Sequence, residues 1–408
     1  MQRVVITGMG VVCPLGLNVT EFWSNLVAGV SGVGPITRFA TDNYPVKLAA
    51  EVKNFDPTQY MDLKTAERNR RPVHLAIPAA KEAIESSGLD MSQEQPERVG
   101  IINASMLENH YIAEEWERYR QRGSRRFDPL FYLKVGPSSV PMQLGMMLGA
   151  RGPNMTGNSL CASGTSIIAT CLYFIRLGYA DVMIAVASDA SLDEVAIASM
   201  NAVGALTREP NPEKACRPFD LNRSGFVYGE GCGVLVLEGL EHARKRGAPI
   251  LAEVAGTGWS FDAYDATAPY PETEAFAMKT AIKDGGLTAD DIDYINAHGT
   301  STKLNDASET RAIKMALGDR AYQVPISSNK SMFGHMIVAA GAVESIGAIL
   351  TMQHQVIPPT IHYETPDPDC DLDYVPNVAR EAKIDICLKN SFGLGGQNCC
   401  LVLKRSAD

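Results

Sequence analysis

Three stretches of the first 240 residues have faint counterparts, in the same order, later in the chain. "RVVITGMGVV" (3–12) and "ILAEVAGTGWS" (250–260) are each an apolar strand that breaks at glycines. "ERVGIINAS" (97–105) resembles "DIDYINAHGT" (291–300), and "GFVYGEGCGVLVLE" (225–238) resembles "NSFGLGGQNCCLVLK" (390–404). This predicts a duplicated α/β fold with halves 1–249 and 250–408. Alternating strands and helices in any α/β protein could produce the same likeness, so that alternative stays open.

Two nearly uncharged segments, one in each half, predict two buried helices. Residues 162–175 carry no charge, and their apolar residues fall at helical spacing at Ile168, Cys171, Leu172 and Ile175. Residues 338–353, "VAAGAVESIGAILTMQ", carry a single charge, Glu344, and their alanines and glycines would allow close helix approach. A helix without a polar face must be covered on all sides. We therefore expect a helical core between two sheets.

Composition excludes several classes of protein. The 408 residues are 45% hydrophobic and 21% charged, which argues against wholesale disorder, and a net charge of −10 argues against a general nucleic-acid binder. The nine cysteines show no zinc-binding spacing, so we expect no bound metal. Because they are scattered and odd in number, we expect the protein to lie in a reducing cytoplasm rather than to form a disulfide framework. We expect no signal peptide and no membrane association, because the N-terminus reads as a buried strand and no apolar run is long enough to span a bilayer.

Cys161 stands out among the cysteines because of its place in "NSLCASGTSII" (158–168). A turn-rich approach precedes it, and the uncharged helix follows. Unpaired N–H groups and the dipole at a helix N-terminus favour an anion, so we expect a stabilised thiolate and a nucleophile. A buried structural cysteine is the alternative.

Two histidines fall at corresponding element ends of the second half. "YINAHGTST" (294–302) is an apolar strand that ends at His298, and "SSNKSMFGH" (327–335) carries Lys330 and His335 just before the second buried helix. If the halves are duplicates, His335 lies at the place equivalent to Cys161. Each histidine alone could be structural, but the three groups together predict a site. The glycine-rich loop "NSFGLGG" (390–396) is either a tight turn or an oxyanion hole.

Basic residues form two clusters despite the acidic total. "RYRQRGSRR" (118–126) holds five arginines, and "LKTAERNRRP" (63–72) holds four basic residues. They predict either a docking patch for an acidic partner or ordinary solvated faces.

Together these stretches resemble the β-ketoacyl-acyl-carrier-protein synthases, most closely synthase II. "LCASG", "NAHGTST", "SSNKSMFGH", "AAGAVES", "NSFGLGG" and "RPFDLNRSGFVYGEG" (217–231) carry the resemblance, which covers nearly the whole chain. It implies a thiolase-like five-layer αβαβα sandwich made of two duplicated halves. It implies an acyl carrier protein as partner, and a homodimer or a heterodimer with a chain-length-factor-like ketosynthase. It implies no cofactor of the enzyme's own, because phosphopantetheine arrives on the carrier protein.

The resemblance also implies roles for individual residues. Cys161 resembles the nucleophile that is acylated, and His298 and His335 resemble the pair that promotes decarboxylation of the malonyl donor. Lys330 and Glu344 resemble a buried polar network beside the second histidine.

Further roles follow from the same resemblance. Backbone N–H groups of Cys161 and Phe392 would form the oxyanion hole, with the Phe392 ring as a gate. Thr300 and Thr302 would lie near the malonyl group. The positions that would dock the carrier protein are Lys64, Arg68, Arg125 and Arg126.

The chain departs from the family pattern where the acyl tunnel and its gates are implied. The tunnel and gate positions are Leu107, Glu108, Phe131, Phe333 and Leu394. Phe333 replaces a common Thr, Leu394 replaces a common aromatic residue, "MLEN" (106–109) replaces a glycine-rich turn, and Gln397 replaces another common Thr.

These departures favour a specialised type II polyketide or polyene pathway, with ordinary fatty acid elongation as the alternative. Two rival classes of protein are less favoured by the sequence. A thiolase would carry a cysteine where this chain has Phe392, and a non-catalytic chain-length factor would lack Cys161.

Overall fold

A computed structural model describes residues 2–406. Its strands are β1 (Val4–Val12), β2 (Gly34–Pro35), β3 (Leu48–Ala50), β4 (Val99–Ala104), β5 (Asn154–Thr156), β6 (Val182–Asp189), β7 (Tyr228–Gly229), β8 (Gly231–Gly239), β9 (Ala252–Phe261), β10 (Tyr294–Asn296), β11 (Ile326–Ser327), β12 (Val356–Ile357), β13 (Arg380–Glu381), β14 (Ile386–Gly393) and β15 (Gln397–Arg405). Its α-helices are α1 (Val19–Val27), α2 (Leu63–Arg68), α3 (Arg71–Ser87), α4 (Asn109–Arg122), α5 (Phe131–Val135), α6 (Ser139–Leu148), α7 (Ser163–Arg176), α8 (Glu194–Ala202), α9 (Pro212–Ala215), α10 (Leu240–Arg246), α11 (Pro271–Asp284), α12 (Lys303–Leu317), α13 (Lys330–Phe333) and α14 (Ala340–His354).

Ten strands form one continuous sheet built from two five-stranded halves. The first half has the order β5-β4-β6-β8-β1, and the second has the order β11-β10-β14-β15-β9. In each half the first two pairings are parallel and the next two are antiparallel. Within the ten-stranded sheet of residues 2–406, two residue pairs between β1 and β9 join the halves. The predicted duplication is therefore confirmed.

Residues that share the same letters in the two repeats do not occupy equivalent positions in the two strands. Ile102 of β4 packs into the central core, whereas Ile295 of β10, its counterpart in the shared letters "INA", packs against the outer helices. Alternate side chains of a strand face opposite sides of the sheet, so the two strands correspond but their registers differ by one residue.

Helices divide the molecule into the five predicted layers. α7 and α14 contact each other and lie between the two sheet halves, as their lack of charge predicted. α3 packs outside the first half on β1 and β8, and α11 packs outside the second half on β9 and β15. The division at residues 249 and 250 stays a prediction; α10 ends before it and β9 begins after it.

The two central helices touch at a pair of equivalent glycines. A methyl group on Gly164 would lie 2.6 Å from the backbone nitrogen of Ala342, and one on Gly341 would lie 2.5 Å from the backbone nitrogen of Thr165. Each glycine is the second residue of its helix. The closeness of the two helix starts thus depends on the absence of both side chains.

The two ends of the sheet differ in exposure. β5 is an edge strand with Met155 49% exposed, and the neighbouring helix α6 leaves Met146 64% exposed. At the opposite end β11 is buried, and the backbone of Asp373 accepts a hydrogen bond from Ile326. Among residues 2–406 we find no helix long and apolar enough to cross a membrane.

Candidate active site

Cys161 lies in a short 3-10 turn, Leu160–Ala162, directly before α7. The predicted position just ahead of the first helical turn is therefore confirmed. Leu160 has a left-handed backbone (φ 47°), and Ser159 donates its N–H to Ser163 Oγ at 2.7 Å, which closes the turn. The thiol is half-buried at the wall of a cavity.

The surroundings of Cys161 oppose the predicted stabilisation of its thiolate. Burial raises the pKa of the Cys161 thiol above its ordinary value; N–H groups of Leu394 and of Cys161 itself and the charge of Lys330 act in the opposite direction but more weakly. A thiol with a raised pKa needs a base to take its proton before the sulfur can attack.

The glycine-rich loop brings a different N–H group to the sulfur than the one assigned from the sequence. The groups that reach Cys161 are its own N–H and that of Leu394. Phe392 is paired with Asn398 near the end of β14, while Leu394 lies in the turn that follows. Leu394 is therefore a candidate for the second oxyanion donor, and the assignment of that role to Phe392 stays a prediction. The Phe392 ring lines the cavity, with its centroid 5.9 Å from that of His298.

Both histidines meet Cys161 in this cavity. The sulfur of Cys161 and ring nitrogens of His298 and His335 all lie within 4.8 Å of one another. The two rings stand nearly perpendicular, with centroids 5.4 Å apart. Ligand atoms at such a spacing could also hold a metal ion; the expectation of no metal stays a prediction.

Backbone contacts fix the place of His298. Its N–H donates to Glu309 Oε1 at 2.8 Å, and its carbonyl oxygen accepts from Lys330 Nζ at 2.7 Å. The ring nitrogens of His335 have no hydrogen-bond partner within residues 2–406. They are free to bind a substrate group or the thiol proton.

The environment keeps both imidazoles neutral. Burial lowers the pKa of His298 and that of His335 well below the usual value, and the charge of Lys330 lowers both further. A neutral imidazole carries one N–H donor and one free nitrogen. The pair can therefore accept the thiol proton and can also donate to a developing oxyanion.

A buried ionic network lies behind the histidines. Lys330 and Glu344 form an ion pair, and Lys389 Nζ lies 2.8 Å from the other carboxylate oxygen of Glu344. All three side chains are almost completely buried. Sequence reasoning missed Lys389; its one signal was a charged residue inside the otherwise apolar run "DICLKNSFG" (385–393).

The cavity at Cys161 has a volume of about 480 Å³. It is lined by Thr300, Thr302 and Leu394, together with Phe392, as the sequence predicted. Thr300 Oγ1 and Thr302 Oγ1 share a hydrogen bond of 2.9 Å.

The structure does not bring the remaining tunnel candidates into this cavity. Phe333 is fully buried and packs against Phe22, with ring centroids 6.3 Å apart. Leu107 is exposed, and Phe131 packs against the rings of neighbouring aromatic residues on the surface. Sequence spacing gave no means of telling a wall of the cavity from a residue behind it.

Glu108 lines a second cavity of about 320 Å³. Arg38, Arg70 and Asp193 line it as well. Burial raises the pKa of Glu108 to about 7, with the two arginines opposing this effect and nearby aspartates adding to it. Glu108 therefore neither points to open solvent nor faces an alkyl wall.

The four predicted docking residues are exposed and lie in two places. Lys64 and Arg68 are on α2, and Arg125 and Arg126 are in the 3-10 turn Ser124–Arg126. None of the four has a carboxylate within ion-pair distance among residues 2–406.

Comparison with known proteins agrees with this geometry. Residues 1–243 match the profile of the β-ketoacyl synthase N-terminal domain, and residues 251–364 match that of its C-terminal domain. The chain is 44% identical to 3-oxoacyl-[acyl-carrier-protein] synthase 2 of Coxiella burnetii, over 100% of this chain and 99% of that protein.

Solved structures extend the comparison to polyketide enzymes. The type II polyketide ketosynthase AntDE, in complex with its acyl carrier protein AntF, superimposes with a TM-score of 0.90 and 35% identity over 99% of both chains. The ishigamide ketosynthase/chain length factor superimposes with a TM-score of 0.91 and 37% identity over 100% of both chains.

Proposed function

We propose that this protein works in a specialised type II polyketide or polyene pathway. It belongs to the β-ketoacyl synthase family and is thus a ketosynthase acyltransferase that acts on acyl groups held by an acyl carrier protein. The observation that supports the condensation chemistry is that the sulfur of Cys161 and ring nitrogens of His298 and His335 lie within 4.8 Å of one another at one cavity.

In the first half-reaction Cys161 takes the acyl chain from the carrier protein. A neutral histidine accepts the thiol proton, and the sulfur attacks the thioester carbonyl. N–H groups of Cys161 and Leu394 stabilise the oxyanion. The bond to the phosphopantetheine sulfur then breaks, and that thiolate takes the proton back from the histidine.

In the second half-reaction a malonyl group on a second carrier protein loses CO2. N–H groups of His298 and His335 stabilise the negative charge that moves onto the malonyl thioester oxygen as the bond to the carboxylate breaks. The enolate carbon attacks the acyl thioester on Cys161, a carbon–carbon bond forms, and the Cys161 sulfur leaves as a thiolate that takes a proton from solvent. The product is two carbons longer.

The second cavity supports a specialised substrate. Helix α8 lies between the two cavities. Its N-cap, Asp193, lines the Glu108 cavity, and Met200 near its other end lines the Cys161 cavity. Seven residues of helix rise about 10 Å. A chain that extends from Cys161 along this helix would meet charged groups, which suits a rigid or partly polar chain better than a long saturated one.

Ordinary fatty acid elongation is the second candidate. It is favoured by the 44% identity to a 3-oxoacyl-[acyl-carrier-protein] synthase 2 over the full length of both chains.

Partners and location follow from the same proposal. The exposed clusters at Lys64, Arg68, Arg125 and Arg126 would dock the acidic carrier protein in the cytoplasm. The edge strand β5, with exposed Met155 and with exposed Met146 on the neighbouring helix α6, suits pairing with another ketosynthase, either a second copy of this chain or a chain-length-factor-like subunit.

Competitive acylation tests the pathway. The protein is incubated with a mixture of carrier proteins, some loaded with saturated chains of eight to sixteen carbons and others with polyunsaturated or aryl-ended chains, and intact-protein mass spectrometry reads the adducts. We expect the unsaturated or aryl chains to dominate and Cys161→Ala to gain no mass. A preference for long saturated chains would assign the protein to fatty acid elongation instead.

A further inference from the structure

Lys389 is a fully buried lysine in the middle of a sheet strand. Alternate residues of β14 face the central helix layer, and on that face Cys387, Lys389 and Ser391 follow one another. Removing an ammonium group from water costs several kcal/mol unless partners compensate. The position therefore calls for a specific reason beyond packing.

The partners of Lys389 leave the network with more positive than negative charge. Lys330 and Lys389 share a single carboxylate, Glu344. The remaining contacts of Lys389 are neutral: the carbonyl of Asn390, and Ser391 Oγ at 3.0 Å.

Glu309 does not supply the missing counter-charge at Lys389. Its carboxylate accepts the N–H groups of His298 and Gly299 and the amide of Asn390, and burial raises its pKa. Among residues 2–406 no ion pair joins Glu309 to Lys389, although the charge of Glu309 acts on Lys330.

The extra cation acts at the histidine rings. The charged and titratable groups around the two rings, one from each surrounding element, are Lys330 (α13), Glu344 (α14), Lys389 (β14), Glu309 (α12), Asp189 (β6) and Cys161. The charge of Lys389 opposes protonation of both His298 and His335.

A hydroxyl relay ties Lys389 to the nucleophile as well. Ser391 Oγ accepts a hydrogen bond from Lys389 and lies 2.7 Å from Thr165 Oγ1. Thr165 is in the first turn of α7, the helix that follows Cys161. One side chain thus contacts the ionic network behind the histidines and, through Ser391, the helix that carries the thiol.

We propose that Lys389 is a positioning residue whose charge adds to burial and to Lys330 in disfavouring protonation of His298 and His335, and so raises the reactivity of Cys161 at low pH. This proposal rests on the proposed function in one respect, that the histidines act as proton acceptors. Whichever group of the thiol–imidazole cluster releases the proton, removing a nearby cation makes that release harder.

The test is the pH dependence of Cys161 alkylation by iodoacetamide, read by intact-protein mass spectrometry. Lys389→Met removes the charge, fills similar volume and leaves the Lys330–Glu344 pair intact. We expect its acid limb to move up by about one pH unit, the size of one unit-charge interaction across a partly buried site. Lys389→Arg keeps the charge and should restore the wild-type limb. Each variant is paired with its Cys161→Ala form to subtract other cysteines.

A purely structural lysine would lower the melting temperature of Lys389→Met without moving the acid limb, and that result overturns the proposal. If Lys389→Met does not fold, Lys389→Gln takes its place. Glu344→Gln gives the opposite sign: losing the carboxylate should move the acid limb down, and an unmoved limb there also overturns the proposal. Alkylation needs no carrier protein, so failure of the acyl panel would reject the proposed function while leaving this result readable.

Discussion

The two halves of the molecule share one topology but contribute opposite kinds of chemistry. On the central face of β6, the first half places Met183, Ala185 and Ala187, followed at the end of the strand by one buried carboxylate, Asp189. On the equivalent face of β14, the second half places Lys389 and Ser391 beside Cys387. The first half supplies a nucleophile in largely apolar surroundings, and the second supplies histidines backed by buried charge. Duplication thus set the positions, and later divergence set the electrostatics.

The largest expected effect comes from removing the contribution of the first half. Cys161→Ala should form no acyl-enzyme and no condensation product, because no other group at the cavity can hold the thioester. Intact mass after incubation with an acyl carrier protein measures this. Cys161→Gln should still release CO2 from malonyl carrier protein, since that step depends on the second half alone. Acylation of the alanine variant would remove Cys161 from its role.

Removing either histidine should break the contribution of the second half. His298→Ala and His335→Ala should each lower condensation by roughly 10²–10³-fold or more, the usual cost of one oxyanion donor. Single-turnover assays separate acylation of Cys161 from decarboxylation, and the decarboxylation step should suffer more. Near wild-type condensation in both variants would contradict the division of labour between the halves.

A third prediction tests the equivalence of the halves themselves. Gly164→Ala and Gly341→Ala should each lower the free energy of unfolding by about 1–3 kcal/mol, because each new methyl group meets backbone of the other helix. Denaturant unfolding measures both. Gly285→Ala, whose methyl group would find its nearest atom at 3.4 Å, is the matched control. A large difference between the first two variants would show that only one half controls the helix crossing.

The smallest effect concerns the surface. Arg125→Glu combined with Arg126→Glu on the first half should raise the KM for carrier-bound substrate several-fold and flatten its salt dependence, while a small thioester mimic reacts as before. The exposed lysines of α11 on the second half, Lys279→Glu with Lys283→Glu, are the control. Equal effects from the two pairs would mean that net charge alone matters.

The sequence predicted whatever depended on periodicity and order along the chain. The duplication, the two nearly uncharged helices and the position of Cys161 before α7 were predicted from residue patterns. Details set by one residue of register did not follow. The strand letters "INA" align by sequence but face opposite sides of the sheet, and the N–H group at the sulfur belongs to Leu394, two residues beyond Phe392.

Properties that depend on burial in three dimensions were also out of reach. The helix N-terminus at Cys161 predicted a thiolate, but the cost of burial outweighs its effect on the pKa of that thiol. Phe333 lies two residues before His335 and still faces the core, and Lys389 finds its carboxylate, Glu344, on a distant part of the chain.

The shared central layer has a consequence for synthesis of the chain on the ribosome. α7 is complete at residue 176, but α14, which covers it, ends at residue 354. At ordinary translation speeds roughly 10 to 40 seconds separate the two. During that interval the part of α7 that α14 covers has no partner in its own chain, which makes the nascent first half a natural client for a holding chaperone.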